Sequence, residues 1–174
     1  MRMAARALYR GRQFFEALRP RIDGTLRAEA LRLLHEPERR LFESMTPHDQ
    51  RHCLDVYRRL RADGQTDRDL LVAALLHDVG KGRVALWHRV AYVLLEAWTP
   101  GLLDRLAKPG DGAGLPAAAG YRQALYRCRH HVELGGQLAR EAGCSDTVVA
   151  LIRADVGNAR AAWLEALRNA DDTA

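Results

Sequence analysis

Apolar residues recur every three or four positions along almost the whole chain, which is the spacing of one face of an α-helix. No stretch of the sequence alternates apolar and polar residues as a half-buried strand does, and no internal repeat is visible. The predicted helices cover residues 3–18, about 25–35, a short segment from Pro37, 47–63, a segment from Thr66 to Gly80, and about 83–97, 101–107, 117–128, 130–142, 146–156 and 160–171. The fold class predicted from this pattern is all-α.

Helix start and stop signals support several of these boundaries. The string TPHD, residues 46–49, offers an N-cap threonine, a proline at the first helical position and an acid three residues after the cap. Thr66 and Asp69 repeat this start signal before the next apolar run. Gly80 is the predicted stop of that helix, and the Gly- and Pro-rich residues 108–116 form the clearest predicted loop.

Length and composition place the chain among globular proteins. Its 174 residues fit one domain, and 48% hydrophobic with 28% charged residues is ordinary globular usage. The most apolar window, residues 84–98, is too short to span a bilayer and contains His88 and Arg89, so no membrane partner is predicted. The N-terminus lacks the pattern of a secretory signal, and three scattered cysteines suit a reducing cytoplasm, which is the predicted location.

The net charge of +5 raises the question of a nucleic-acid partner. The arginines, however, lie at helical spacing among apolar residues, aromatic residues are few, and no nucleic-acid-binding motif is present. We therefore expect most of these arginines to be solvated, and a nucleic-acid partner is not predicted.

The stretch LLVAALLHDVGKGRV, residues 70–84, carries the strongest chemical signal. An aliphatic run ends in His77, Asp78 and Lys81. Burying a polar group without a partner costs roughly 2–7 kcal/mol, and burying a charge costs more. These side chains therefore indicate a bound partner, and a metal ion is the candidate that suits a histidine beside a carboxylate.

Further ligand candidates lie at helix ends or on apolar helix faces. His52 sits in the predicted helix 47–63 with apolar neighbours, and His131 opens the helix that follows residue 130. Asp155 ends the predicted helix 146–156, and Asp171 falls in the last helix. Together with His77 and Asp78 they compose a possible mixed site of imidazoles and carboxylates.

This constellation resembles the HD superfamily of metal-dependent phosphohydrolases. The resemblance rests on His52 in DQRHCLDVYRRL, on the His77-Asp78 pair in AALLHDVGK, and on Asp171 in RNADDTA, and it covers roughly residues 46–172. It implies a helical HD domain over residues 46–174. Residues 1–45 lie outside it, and we expect them to form a helical extension packed on that domain.

The resemblance also bears on a second metal ion. Two-metal branches, such as the HD-GYP phosphodiesterases and the bacterial diadenosine tetraphosphate hydrolases, have an H-x-x-x-G pattern that His131 and Gly135 match. Those branches then have another histidine where this chain has Asp155. A carboxylate there favours ions such as Mn²⁺ or Mg²⁺, or leaves a single-ion centre. Fe, Ni, Co and Zn also remain candidates for the metal, and the site is predicted to hold either one ion or two.

By this resemblance, the predicted function is hydrolysis of a small phosphate ester or nucleotide-type substrate by a metal-activated water. Asp78 and Lys81 are the predicted catalytic residues. Lys81 is also expected to contact substrate phosphate, with a basic wall formed by three further residues: Arg51, Arg83 and His130. Two alternatives stay open: a di-iron HD-type oxygenase and a non-catalytic HD signalling or binding module. The sequence identifies neither the substrate nor the oligomeric state, and a homo-oligomer is compatible with it.

Overall fold

The computed structural model describes residues 23–107 and 116–174, and these residues form ten α-helices, two 3₁₀ turns and no strand. The helices are α1 (Gly24–Leu33), α2 (Glu36–Ser44), α3 (Pro47–Ala62), α4 (Arg68–Leu76), α5 (Leu86–Trp98), α6 (Pro100–Leu106), α7 (Pro116–Arg129), α8 (His131–Glu141), α9 (Asp146–Ile152) and α10 (Ala161–Asp172), with 3₁₀ turns at Val79–Lys81 and Asn158–Arg160. The all-α prediction is confirmed for this part of the chain. The predicted helix 3–18 and residues 108–115 of the predicted loop lie outside the described residues.

The starts of α3 and α4 show how local sequence sets the two helices that carry the central motif. The Thr46 hydroxyl accepts a hydrogen bond from the Asp49 N–H, as the sequence predicts. The cap of α4 is Asp67 rather than the predicted Thr66, because the Asp67 carboxylate accepts from the N–H groups of Asp69 and Leu70. A carboxylate is also favoured at a helix N-terminus by the helix dipole.

The end of α4 differs from the prediction. The helix ends at Leu76, so His77 is its C-cap and Asp78 follows in a non-helical conformation, before the 3₁₀ turn begins. Gly80 does not stop the helix through a left-handed conformation, since its φ is not positive. A Cβ atom at Gly80 would instead lie 1.9 Å from the carbonyl oxygen of His131. Glycine is required there because the start of α8 packs directly on the turn.

The main hydrophobic core surrounds α4. Every residue from Leu70 to Leu76 is buried, which explains why this helix reads as a continuous apolar run instead of an amphipathic one. α3 and α9 pack on α4, and α10 packs on α3. Ala30 of α1 and Phe42 of α2 are fully buried in the same core. The helices that precede residue 46 thus share the core of the domain.

Helices α5, α6 and α7 pack on one another around a smaller apolar interior, and we call them the α5–α7 lobe. Tyr92 of α5 contacts both of its buried clusters, which include Cys128 and Leu125 of α7. Arg89 of α5 joins the lobe to the main body through Asp49 at the start of α3, with N–O distances of 2.5 and 2.6 Å. Within the described residues, no helix is long and apolar enough to cross a membrane.

Candidate metal centre

His52, His77 and Asp78 meet where α3 passes the end of α4. Each offers one ligand atom, and these three atoms lie within 4.8 Å of one another. The two imidazole rings are 5.3 Å apart between centroids and meet edge to face. Asp78 is 4% exposed, so the carboxylate is held away from bulk water. Imidazole nitrogens and a carboxylate oxygen at this spacing are a donor set suited to a divalent transition-metal ion.

Asp171 of α10 completes the cluster from the opposite end of the sequence. Its Oδ1 atom lies 2.7 Å from His52 Nε2 and 3.3 Å from His77 Nε2. α10 packs on α3, which brings this late acid to the histidines. All four of the residues that carry the HD resemblance therefore converge on one place.

The ring of His77 is oriented for binding through Nε2. Its Nδ1 atom lies 2.9 Å from the carbonyl oxygen of Ala74, so an Nδ1–H donates to the backbone and the neutral ring leaves Nε2 with a free lone pair. The Nε2 atom is buried and finds no hydrogen-bond partner among the described residues. An orphaned, buried acceptor that faces two carboxylates is what a ligand to a cation requires, so these residues fit a metal ion.

The charges in the cluster are strongly coupled. Burial disfavours the charged imidazolium of His77, but the thiol and carboxylates around it outweigh burial and raise its pKa well above 6.5. Burial opposes ionisation of Asp78, but His77 and Lys81 lower the pKa of its carboxyl. The hydrogen bond from His52, together with the nearby ring of His77, holds the pKa of Asp171 far below its usual range. The cluster attracts a positive charge, whether a proton or a metal ion.

Lys81 lies beside this cluster at the end of the 3₁₀ turn. Its Nζ atom is 2.6 Å from Asp78 Oδ2, while the other oxygen of Asp78 is 3.6 Å from His77 Nε2. Asp78 therefore uses one oxygen toward the lysine and the other toward the histidines. The ammonium group remains partly exposed, so it is accessible to an anion at the edge of the site.

His131 is the first residue of α8 and lies close to the turn, since its carbonyl group touches Gly80. Its Nδ1 atom is 2.8 Å from the Cys128 carbonyl oxygen, three residues earlier. This is the same backbone anchor that orients His77, and it likewise leaves Nε2 as the free ligand atom. The group of three ligand atoms described above does not include His131.

Asp155 does not join the described cluster. α9 ends at Ile152, earlier than the predicted 156, because Ala154 adopts a left-handed conformation with φ of 53°. Asp155 follows this turn as an exposed residue whose N–H donates to the Ala150 carbonyl. The structure thus gives no contact that would support the predicted role of Asp155 as a ligand.

The three residues of the predicted basic wall lie in different settings. The Arg51 side chain pairs with Asp55 on the same helix, at 3.4 Å. His130 precedes α8 and its ring packs on Tyr126, with centroids 4.5 Å apart. Arg83 is exposed and lines a cleft of about 950 Å³ that begins at the 3₁₀ turn. Of the three, Arg83 has the setting expected of a substrate contact.

The cleft runs between the 3₁₀ turn, α5 and α7. Its wall includes the stacked rings of Trp87 and His88, with centroids 3.5 Å apart, and the ring of Tyr121. Arg127 also lines it and donates to the Gly80 carbonyl oxygen at 3.4 Å. Aromatic and cationic side chains therefore share the wall of the cleft, and Arg127 connects this wall to the 3₁₀ turn that follows Asp78.

Two residues near the site were not singled out from the sequence. Cys53 is fully buried next to His52, and its sulfur lies 3.8 Å from His77 Nδ1; burial raises the pKa of this thiol. Arg89 forms the two-pronged ion pair with Asp49 described above. An arginine within the apolar window 84–98 could have indicated a buried ion pair, but nothing in the sequence identifies Asp49 as its partner.

Comparisons of the chain with family models, with curated proteins and with solved structures found no significant match.

Proposed function

We propose that the protein is a metal-dependent phosphohydrolase of the HD type that acts on a small phosphate ester. The observation that carries this proposal is the convergence of His52, His77, Asp78 and Asp171 around the orphaned Nε2 atom of His77. A carboxylate-rich, partly buried set of this kind suits Mn²⁺, Fe²⁺, Co²⁺, Ni²⁺ or Zn²⁺, and Mg²⁺ with more water ligands.

In the proposed mechanism, the four side chains would hold the ion, and His131 would be available through its Nε2 atom for a second one. A bound divalent ion would supply a water of lowered pKa and polarise a phosphoryl oxygen. The Asp78 carboxylate would orient this water by accepting its hydrogen bond. The backbone anchor of His77 keeps that ring from turning as charge moves through the site.

Lys81 is proposed to act on the substrate. Its ammonium group, partly exposed beside Asp78, donates to a phosphate oxygen and offsets the negative charge that develops during hydrolysis. Arg127 in the adjoining cleft extends this positive environment, while the rings of His88 and Tyr121 offer an apolar surface to the rest of the substrate.

The test uses full-length protein freed of metal with a chelator and then loaded with each ion in turn. Metal content is measured by mass spectrometry, and hydrolysis is measured with p-nitrophenyl phosphate and bis-p-nitrophenyl phosphate. His77→Ala and Asp78→Ala should lose metal and hydrolysis together. His48→Ala is the matched control, because His48 lies on the same helix as His52 but its side chain is 61% exposed.

Metal bound at the wild-type level in both site variants would contradict the proposed centre. Iron with turnover that requires oxygen would favour the oxygenase alternative, and a protein that binds no metal would favour the binding module. Asp155→Asn should leave metal content unchanged, because Asp155 is an exposed residue beyond α9.

A further inference from the structure

Helix α5 presents its apolar side to solvent. The largest exposed hydrophobic side chains of the described residues are concentrated there and at the start of α6: Trp87, Val90, Val93, Leu94, Trp98 and Leu102. Trp98 is 79% exposed. At about 100° per residue, the five positions of α5 fall within an arc of about 140° on one side of the helix. We call this arc, with Leu102, the α5 face.

The ionisable residues of α5 lie outside this arc. Arg89 turns inward to the buried carboxylate of Asp49, and Glu96 accepts a hydrogen bond from Tyr92 of the same helix. Burial lowers the pKa of His88, which keeps that ring neutral. The helix is therefore inverted relative to an ordinary surface helix, which turns its charged side to water. A contiguous exposed apolar surface of this kind marks an interaction site.

The charge around the α5 face is positive. The described residues of the α5–α7 lobe and its approach, 83–107 and 116–129, contain six arginines and only two carboxylates. Arg83 lies exposed before α5, and Arg105 and Arg122 lie exposed beyond its other end. Of the two carboxylates, Asp104 is paired with Arg129. An apolar strip with cations at both ends is complementary to a surface that is apolar inside and anionic outside.

The charge and composition of the face distinguish between possible occupants. In a symmetric pair of copies, the arginine-rich ends would face one another. A bilayer interface requires no matching surface, and tryptophan side chains are favoured there.

We propose that the α5 face binds the surface of membranes that contain anionic lipid, with α5 lying in the plane of the interface. Trp98, Leu94 and Trp87 enter the boundary between headgroups and acyl chains, while Arg83 and Arg105 contact lipid phosphates. This proposal does not rest on the metal centre. It departs from the prediction of no membrane partner, which considered only a helix that crosses the bilayer.

The experiment is co-sedimentation of full-length protein with vesicles of phosphatidylcholine alone and of phosphatidylcholine with phosphatidylglycerol in equal amounts. We expect binding to the mixed vesicles, weakened by added salt. The double variant Leu94→Gln/Trp98→Gln should bind them about tenfold more weakly, since it removes apolar area from the insertion face. Leu94→Met/Trp98→Phe keeps that area and should bind like the wild type.

Charge variants test the second part. Arg83→Gln/Arg105→Gln should reduce binding to the mixed vesicles, whereas Arg40→Gln/Arg58→Gln, with the same change of charge on α2 and α3, should not. His77→Ala should bind vesicles normally, which separates this proposal from the metal centre. Thermal unfolding of each variant verifies that it is folded.

Three results would overturn the proposal. The first is equal binding of the wild type and of Leu94→Gln/Trp98→Gln to mixed vesicles. The second is that the wild type does not bind vesicles but is a dimer in solution, whereas Leu94→Gln/Trp98→Gln is a monomer. This result would mean that a second copy of the chain covers the α5 face. The third is that the wild type is a monomer that does not bind vesicles, and that Leu94→Gln/Trp98→Gln melts at a lower temperature than the wild type. This result would mean that another part of the same chain covers the α5 face.

Discussion

Arg89→Met should destabilise the protein far more than the loss of an ordinary surface ion pair. The substitution keeps much of the length of the side chain but removes both hydrogen bonds to Asp49, whose side chain is 1% exposed. The Thr46 hydroxyl, at 2.7 Å, would remain as the side-chain donor to this carboxylate. Leaving one partner of a buried ion pair without the other costs about 3–5 kcal/mol. That is a large part of a typical stability of about 5–15 kcal/mol.

The assay is urea-induced unfolding followed by far-UV circular dichroism, with Arg40→Met as the matched control. Arg40 pairs with Glu36 on the surface of α2, and both side chains are about two-thirds exposed, so its loss should cost no more than about 0.5 kcal/mol. The double variant Asp49→Asn/Arg89→Met should be more stable than Arg89→Met alone, because it also removes the stranded charge.

The explanation fails if Arg89→Met costs no more than Arg40→Met, or if the double variant is the least stable of the set. Either result would mean that Asp49 finds another partner or reaches water when Arg89 is absent. The ion pair would then not be what holds the α5–α7 lobe to α3.

Three further predictions concern the site. Lys81→Ala should keep the metal content of the wild type but lower kcat/KM by about a hundredfold, since it removes a donor to the substrate; unchanged kinetics would make Lys81 a surface residue. In the metal-free protein, the pKa of His77 is higher in the folded state than in the unfolded state, so protonation of His77 stabilises the fold fully below about pH 6.5. This contribution is lost as the pH rises through the folded-state pKa, so the free energy of unfolding should fall above about pH 6.5. In urea titrations at a series of pH values, His77→Gln should make that fall smaller. Gly80→Ala should cost about 1–3 kcal/mol because its Cβ would collide with the His131 carbonyl, whereas Gly120→Ala, in an open helical position, should cost nothing by the same measurement.

The sequence was most informative where local rules decide the structure. The cap and proline of TPHD set the start of α3, and α3 carries His52 about one and a half turns further on. The unbroken apolar run of residues 70–76 predicted a buried helix, and such a helix must end in a satisfied or liganded polar group. These two rules placed His52 within one helix and His77 at the end of another, and the resemblance to the HD superfamily predicted that they meet.

Tertiary contacts account for what the sequence analysis missed. Apolar spacing in 146–156 continues past the point where Ala154 leaves the helical region, so periodicity alone placed Asp155 on a helix that ends before it. The partnership of Arg89 with Asp49 joins residues 40 positions apart, and helical spacing carries no information at that distance. The sequence predicted that Gly80 ends the helix in a left-handed turn. A glycine that is required by a close backbone contact cannot be distinguished in a sequence from one that is required by such a turn.

The contact between the 3₁₀ turn and α8 has an evolutionary consequence. Gly80 lies against the His131 carbonyl, and a Cβ at Gly80 would also be 2.6 Å from the Gly135 nitrogen, so main chain meets main chain at this junction. The separation between the segment that bears His77 and the segment that bears His131 is therefore fixed by atoms that every residue shares. Exchanges among Leu, Ile and Val elsewhere in the core can accumulate without changing that separation. Substitutions at Gly80 should be rejected even when the surrounding sequence has drifted beyond recognition.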